Sequence, residues 1–122
     1  MKIFIILFAV MAIAIAAEET YSSEYDNLDV EAVVNNPQTL QAYFGCFIDR
    51  DNCEKEPGNF KKDLSEAIKT ACAKCTPAQK HILKRFTEGL KEKFPQDYET
   101  FKQKFDPEGK YFVALEPVLA KA

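Results

Sequence analysis

The chain has 122 residues, 19 acidic against 16 basic side chains, a formal net charge of −3 and a single histidine. That length fits one domain, and the acidic balance speaks against a nucleic-acid partner, which selects a basic face. Aromatic residues are plentiful, 10 Phe and 5 Tyr with no Trp, and the four cysteines are Cys46, Cys53, Cys72 and Cys75.

One positive charge, Lys2, precedes an apolar run from Ile3 to Ala17 that closes on small residues before Glu18 and Glu19. This is the pattern of a secretory signal peptide over residues 1–17, with cleavage after Ala16 or Ala17. The run falls short of the roughly twenty residues that span a bilayer, so a membrane anchor is the weaker reading. Residues 18–122 are then expected as one soluble, extracellular domain.

Beyond the leader the chain reads as helices, with no alternating Val/Ile/Thr run that would make a strand. Residues 18–26, with Tyr21 and Tyr25, form an extended arm. Asp26 or Asn27 is expected to cap a short helix carrying Leu28, Val33 and Val34. Asn36 and Pro37 start a second helix, whose Leu40, Tyr43, Phe44, Phe47 and Ile48 share one face. Pro57 and Gly58 are expected to open a third, with Phe60, Leu64, Ala67, Ile68 and Ala71 on one side. Thr76 and Pro77 stop it and start a fourth, bearing Ile82, Leu83, Phe86 and Leu90. Pro95 starts a fifth with Tyr98, Phe101 and Phe105. A turn over residues 106–109 precedes a last stretch from Tyr111 to Leu119, which Pro117 is expected to bend.

The cysteines read Cys-x6-Cys and Cys-x2-Cys, separated by eighteen residues. In an oxidising compartment they imply two disulfides, and of the three possible pairings the local one, 46 with 53 and 72 with 75, closes the shortest loops. In one continuous helix residues 46 and 53 would lie about 10 Å apart, beyond the roughly 7 Å a disulfide spans. The second helix must therefore end near residues 49–51 and turn back. Residues 72 and 75 are expected in the last turn of the third helix. Cys72-Ala73-Lys74-Cys75 also has thioredoxin-like spacing, but redox pairs favour a helix N-terminus. Four thiolates suffice for zinc by number, although Cys-x6-Cys is not a zinc-knuckle spacing.

The cysteine framework resembles that of the insect chemosensory proteins. So do Tyr25-Asp26-Asn27, the run Cys72-Ala73-Lys74-Cys75-Thr76 with Gln79 and Lys80, and Phe105-Asp106-Pro107-Glu108-Gly109-Lys110-Tyr111. The likeness covers about residues 19–115. It implies an all-α fold of six short helices around a hydrophobic ligand tunnel, with two local disulfides. It also implies a small secreted carrier of long-chain fatty acids, alcohols or semiochemicals. By the same likeness Tyr25 and Asp26 lie near the tunnel mouth, Tyr43 is a gating aromatic, Gln79 faces the pocket, and Tyr98 stands where many members carry Trp. With Phe44, Phe47, Phe60, Leu64, Leu83, Phe86 and Phe101 these residues are the expected ligand-binding set. At helical spacing such apolar residues serve as packed core just as readily, and the resemblance is what assigns them to a pocket. The chain departs from the family pattern at Gly45, usually Asp, and at Asp51 and Asn52, which replace the usual Gly.

No hydrolase or nucleophile motif surrounds His81, which reads as solvated beside Lys80, Lys84 and Arg85. The expectation is a non-enzymatic monomer with no cofactor and no metal, binding small hydrophobic ligands without membrane insertion. The alternative is a secreted helical protein with a developmental or defence role in which ligand binding is incidental.

Overall fold

A computed structural model of the chain describes residues 20–122; the leader read in residues 1–17 lies outside them. Six helices follow in order: α1 Val30–Asn35, α2 Pro37–Phe47, α3 Lys55–Lys69, α4 Pro77–Lys93, α5 Pro95–Phe105 and α6 Phe112–Ala120. No strand occurs among the described residues. The 17-residue α4 is the hub, packing against α1, α2, α5 and α6.

Local chemistry sets most boundaries. Asn36 caps α2 by accepting from the backbone N–H groups of Gln38 (3.0 Å) and Thr39 (3.4 Å), with Pro37 in the first turn. Thr76 and Gln79 form a reciprocal capping box on α4, the arrangement that satisfies two otherwise unpaired N–H groups. The cap of α1 is Asp29, whose Oδ1 accepts from the Ala32 N–H, and not Asp26 or Asn27. The reason is local: Asp26 N–H bonds to the Ser23 carbonyl and Leu28 N–H to the Tyr25 carbonyl, so those residues are spent in a turn.

Two other expectations shift. Helix α3 begins at Lys55, two residues before Pro57. A proline anywhere in the first turn costs no hydrogen bond, because those N–H groups have no intrahelical partner. The same helix ends at Lys69, so the Cys72–Cys75 bridge, Cα atoms 4.9 Å apart, lies beyond it and not in its final turn. Ala71 (φ 55°) and Cys72 (φ 62°) turn left-handed, and their N–H groups bond to the carbonyls of Ile68 and Ala67. That is a Schellman ending, reached here without glycine.

The other disulfide, Cys46–Cys53, spans 4.8 Å between Cα atoms. It closes as the spacing requires: α2 stops at Phe47, and Asp49 (φ 64°) reverses the chain. Each short bridge contributes about 2 kcal/mol on the chain-entropy account. At the far end, Asp106 is 5% exposed, and its carboxylate accepts from the N–H groups of Lys110, Tyr111 and Phe112. It thereby holds the start of α6. Pro117 lies inside α6, where it removes one backbone hydrogen bond.

The core is centred on Leu40, Phe44, Ile68, Leu90, Phe101 and Leu115, all fully buried. Edge-to-face rings thread it: Phe47 to Phe86 (5.2 Å between centroids), Phe86 to Phe101 (5.7 Å) and Phe101 to Phe112 (6.2 Å). This geometry lets aromatic quadrupoles attract as well as fill space.

Candidate ligand-binding cavity

The arm is the roof of the site. Tyr21 donates its backbone N–H to the Lys74 carbonyl (2.9 Å) and its hydroxyl to Glu66 on α3 (2.8 Å). The Ser22 carbonyl accepts from Gln79 Nε2 on α4 (2.8 Å). The Tyr25 ring leans on Phe60 with centroids 6.0 Å apart. These contacts tie an unhelical segment across the groove between α3 and α4.

Beneath it lies an apolar cavity. Tyr21, Tyr25 and Leu28 come from the arm, Val33 from α1, Tyr43 and Phe47 from α2, Phe60, Leu64 and Ala67 from α3, and Ile82, Leu83 and Phe86 from α4. Ser22, Asn59, Asp63 and Gln79 supply its polar groups. The volume open to a water-sized sphere is about 70 Å³, and the empty space among the lining atoms, counted out through the mouth, is about 740 Å³. Residues 60, 64 and 67 line it because they recur on one face of α3, as do 79, 82, 83 and 86 on α4.

Of the residues expected at a pocket, Tyr25, Tyr43, Phe47, Phe60, Leu64, Gln79, Leu83 and Phe86 line this cavity. Phe44, Tyr98, Phe101 and Asp26 do not. Phe44 and Phe101 are 1% and 0% exposed and pack in the core. Tyr98 is turned toward α6: its ring meets Phe112 at 6.5 Å, with Lys102 Nζ 5.4 Å from its centroid. Asp26 sits in the arm's turn, its Oδ1 enclosed and without a hydrogen-bond partner in the structure. Sequence reasoning left Leu28, Val33, Ala67 and Ile82 out of the expected set and missed the contributions of Tyr21, Ser22, Asn59 and Asp63. The last two share the Phe60 and Leu64 face of α3 by helical spacing, so they were discoverable.

The polar groups are largely committed. Tyr43 donates to Glu56 Oε1 at 2.5 Å; burial and that carboxylate push its hydroxyl above the usual tyrosine range. Tyr21 behaves alike, raised by burial and by Glu66. Both stay protonated and remain free to accept through the hydroxyl oxygen. Gln79 Oε1 accepts from Thr76 N–H (3.0 Å) while its Nε2 holds Ser22, so one N–H of the amide is left for a ligand. His81 is exposed on α4, away from the cavity lining. Among the described residues no cluster of His, Cys, Asp and Glu can hold a metal ion, and every cysteine is bridged.

The sequence pattern that defines the insect pheromone-binding family, A10/OS-D, matches residues 21–113. The chain belongs to this family. Ejaculatory bulb-specific protein 3 of Drosophila melanogaster is 31% identical over 111 residues, 91% of this chain and 88% of that one. A chemosensory protein solved in complex with bromo-dodecanol is 28% identical, with a TM-score of 0.73 over 84% of this chain and 100% of its own. Antennal chemosensory protein A6 of the moth Mamestra brassicae is 29% identical, with a TM-score of 0.67 over 83% of this chain and 94% of its own. The six helices and two local disulfides are therefore the chemosensory-protein arrangement. No helix among the described residues is long and apolar enough to cross a membrane.

Proposed function

We propose that this A10/OS-D member is a secreted, monomeric and non-enzymatic carrier of long-chain hydrophobic ligands, bound beneath the arm. The observation that carries this reading is the apolar cavity between the arm, α2, α3 and α4 in a chain whose similar solved relative holds bromo-dodecanol. Secretion rests on the signal-like residues 1–17. The non-enzymatic reading rests on membership of a pheromone-binding family and on the likeness to a solved chemosensory protein holding bromo-dodecanol.

Burying an acyl chain gains about 0.8 kcal/mol per methylene, on the order of 10 kcal/mol for a dodecyl chain before ordering and association costs. Those costs are at least about 4 kcal/mol, so a net value near −8 kcal/mol, micromolar binding, is expected of the longer chains, about sixteen carbons. A volume of about 70 Å³ is below the roughly 300–1,000 Å³ of small-molecule sites. Ligand uptake therefore requires the cavity to enlarge.

The test is displacement of a fluorescent apolar probe from the oxidised protein by long-chain alcohols. Displacement with micromolar constants is expected; none at tens of micromolar overturns the carrier reading. Mass spectrometry of protein recovered from the medium of secreting cells should show an N-terminus at Ala17 or Glu18.

A further inference from the structure

A second cleft opens on the far side of Phe47. It measures about 560 Å³, and its walls are α3, the end of α5 and the 107–111 turn. Unlike the apolar cavity it carries many charges: beside Phe47, Phe105, Pro107 and Tyr111, Lys61, Lys69, Lys104 and Lys110 face two carboxylates, Asp49 and Glu108. Asp49 accepts from both Lys61 and Lys104, the latter at 2.8 Å, and those two cations hold its carboxyl down at about 2. Lys110 pairs with Glu108 at 2.9 Å, but the two side chains are 60% and 71% exposed, so that pair is weak and exchangeable. Lys69 has no ion pair among the described residues. The cleft therefore carries a surplus of positive charge.

The cavity under the arm has no cation in its lining, and the nearby Lys74 is paired with Glu66 at 3.8 Å. Asp63 lines the cavity, and the Tyr21 and Tyr43 hydroxyls there are already given to Glu66 and Glu56. A carboxylate placed there would face Asp63 with no lining cation to pair with. Phe47 belongs to both linings, so the two spaces adjoin at that residue.

We propose that the lysine cleft is the carboxylate subsite of a long-chain fatty-acid ligand, whose tail passes Phe47 into the apolar cavity. This rests on the carrier reading and adds to it an orientation and a preference for an anionic head. A neutral alcohol of the same length draws only on the cavity; an acid draws on both spaces.

The experiment compares palmitate with hexadecanol as competitors of a fluorescent apolar probe, at neutral pH and low salt. The proteins are the unaltered chain, Lys69→Gln/Lys110→Gln, and the charge-reversed Lys69→Glu/Lys110→Glu. Both variants keep the Asp49 contacts and change only exposed side chains. The expected result is a loss of palmitate affinity of about 3- to 10-fold in the glutamine variant, the scale of two exposed charge contacts. The loss should be larger in the glutamate variant, with hexadecanol unmoved, and high salt should erase the palmitate advantage. Equal change for acid and alcohol, or no change for either, overturns the subsite and leaves the carrier reading standing. If neither competitor displaces the probe from the unaltered chain, both fall.

Discussion

A Cβ at Gly45 would overlap the Asp51 carboxylate and lie 2.6 Å from Arg50 Nη2; one at Gly89 would lie 2.5 Å from Val34 Cγ1. The family resemblance leads to Asp at position 45 and Gly in the following loop. The structure brings the two departures into contact: Asp51, held by Arg50 at 2.8 Å, fills the space that a side chain at 45 would need. The obstacles differ in kind. Arg50 and Asp51 side chains are 44% and 47% exposed and can swing aside, whereas Val34 is 2% exposed and stiff at χ1. Replacing a helical glycine by alanine gains roughly 0.5–1 kcal/mol of backbone propensity. Gly45→Ala should therefore stay within about 0.5 kcal/mol of the parent, the propensity gain offsetting a weak surface pair. Gly89→Ala should lose about 1–2 kcal/mol net to overpacking. Urea unfolding of both, with Val34→Ala added to Gly89→Ala, checks this. Additive losses in that pair would mean that the α1–α4 approach is not set by these two residues.

Among the elements, the arm has the least structure of its own, and Gln79 is the residue that binds it to α4. Its amide closes the capping box and holds the Ser22 carbonyl at once. Gln79→Ala should cost about 1 kcal/mol of stability, as cap losses do. It should also speed hydrogen exchange at the Tyr21 N–H, which bonds to Lys74, while the amides of α2 keep their protection. Unchanged stability and exchange would reduce Gln79 to a pocket-lining group. Elements governed by local chemistry were legible in the sequence: Asn36 with Pro37 and Thr76 with Pro77 mark helix starts by residue type alone. The end of α3 was not, because its left-handed turn falls on Ala71 and Cys72, residues that give no sign of that conformation. The cavity was half legible for a similar reason. Helical spacing groups Phe44 with Phe47 and Tyr98 with Phe101, but which stripe meets another helix and which meets empty space depends on neighbours distant in the chain. Phe44 and Phe101 were covered on every side; Phe47 and Phe86 were left facing the gap beneath the arm.

Across the whole molecule, the contacts joining distant segments are charged at one end of the pH scale and phenolic at the other, so stability should form a plateau with two distinct edges. Arg85 of α4 grips Glu31 of α1, with Nη2 2.9 Å from Oε1, and holds that carboxyl below its ordinary 4.5. Asp49, tied to α3 and α5 by Lys61 and Lys104, falls from 3.8 to about 2. For Asp106 burial pushes upward, but the backbone N–H groups at the start of α6 outweigh it and lower the carboxyl. Groups whose folded pKa is depressed stabilise above their unfolded value and lose that contribution as pH falls through the folded one. Melting temperature should thus decline from about pH 4.5 downward and continue falling to about pH 2. The buried tyrosines act in reverse. Tyr43 and Tyr21 are raised above 10, so their contribution is full below that pH and is lost as it rises beyond. Thermal unfolding followed by circular dichroism from pH 2 to pH 11 should show both edges. Asp49→Asn should lower the plateau and flatten the acid edge below about pH 4, because an amide neither titrates nor pairs with two lysines. Tyr43→Phe should flatten the alkaline edge alone. An acid edge unchanged in Asp49→Asn would show that the bridge from the α2–α3 loop to α5 carries no stability, and that the packing of α3 on α2 and of α5 on α2 and α4 holds those helices together.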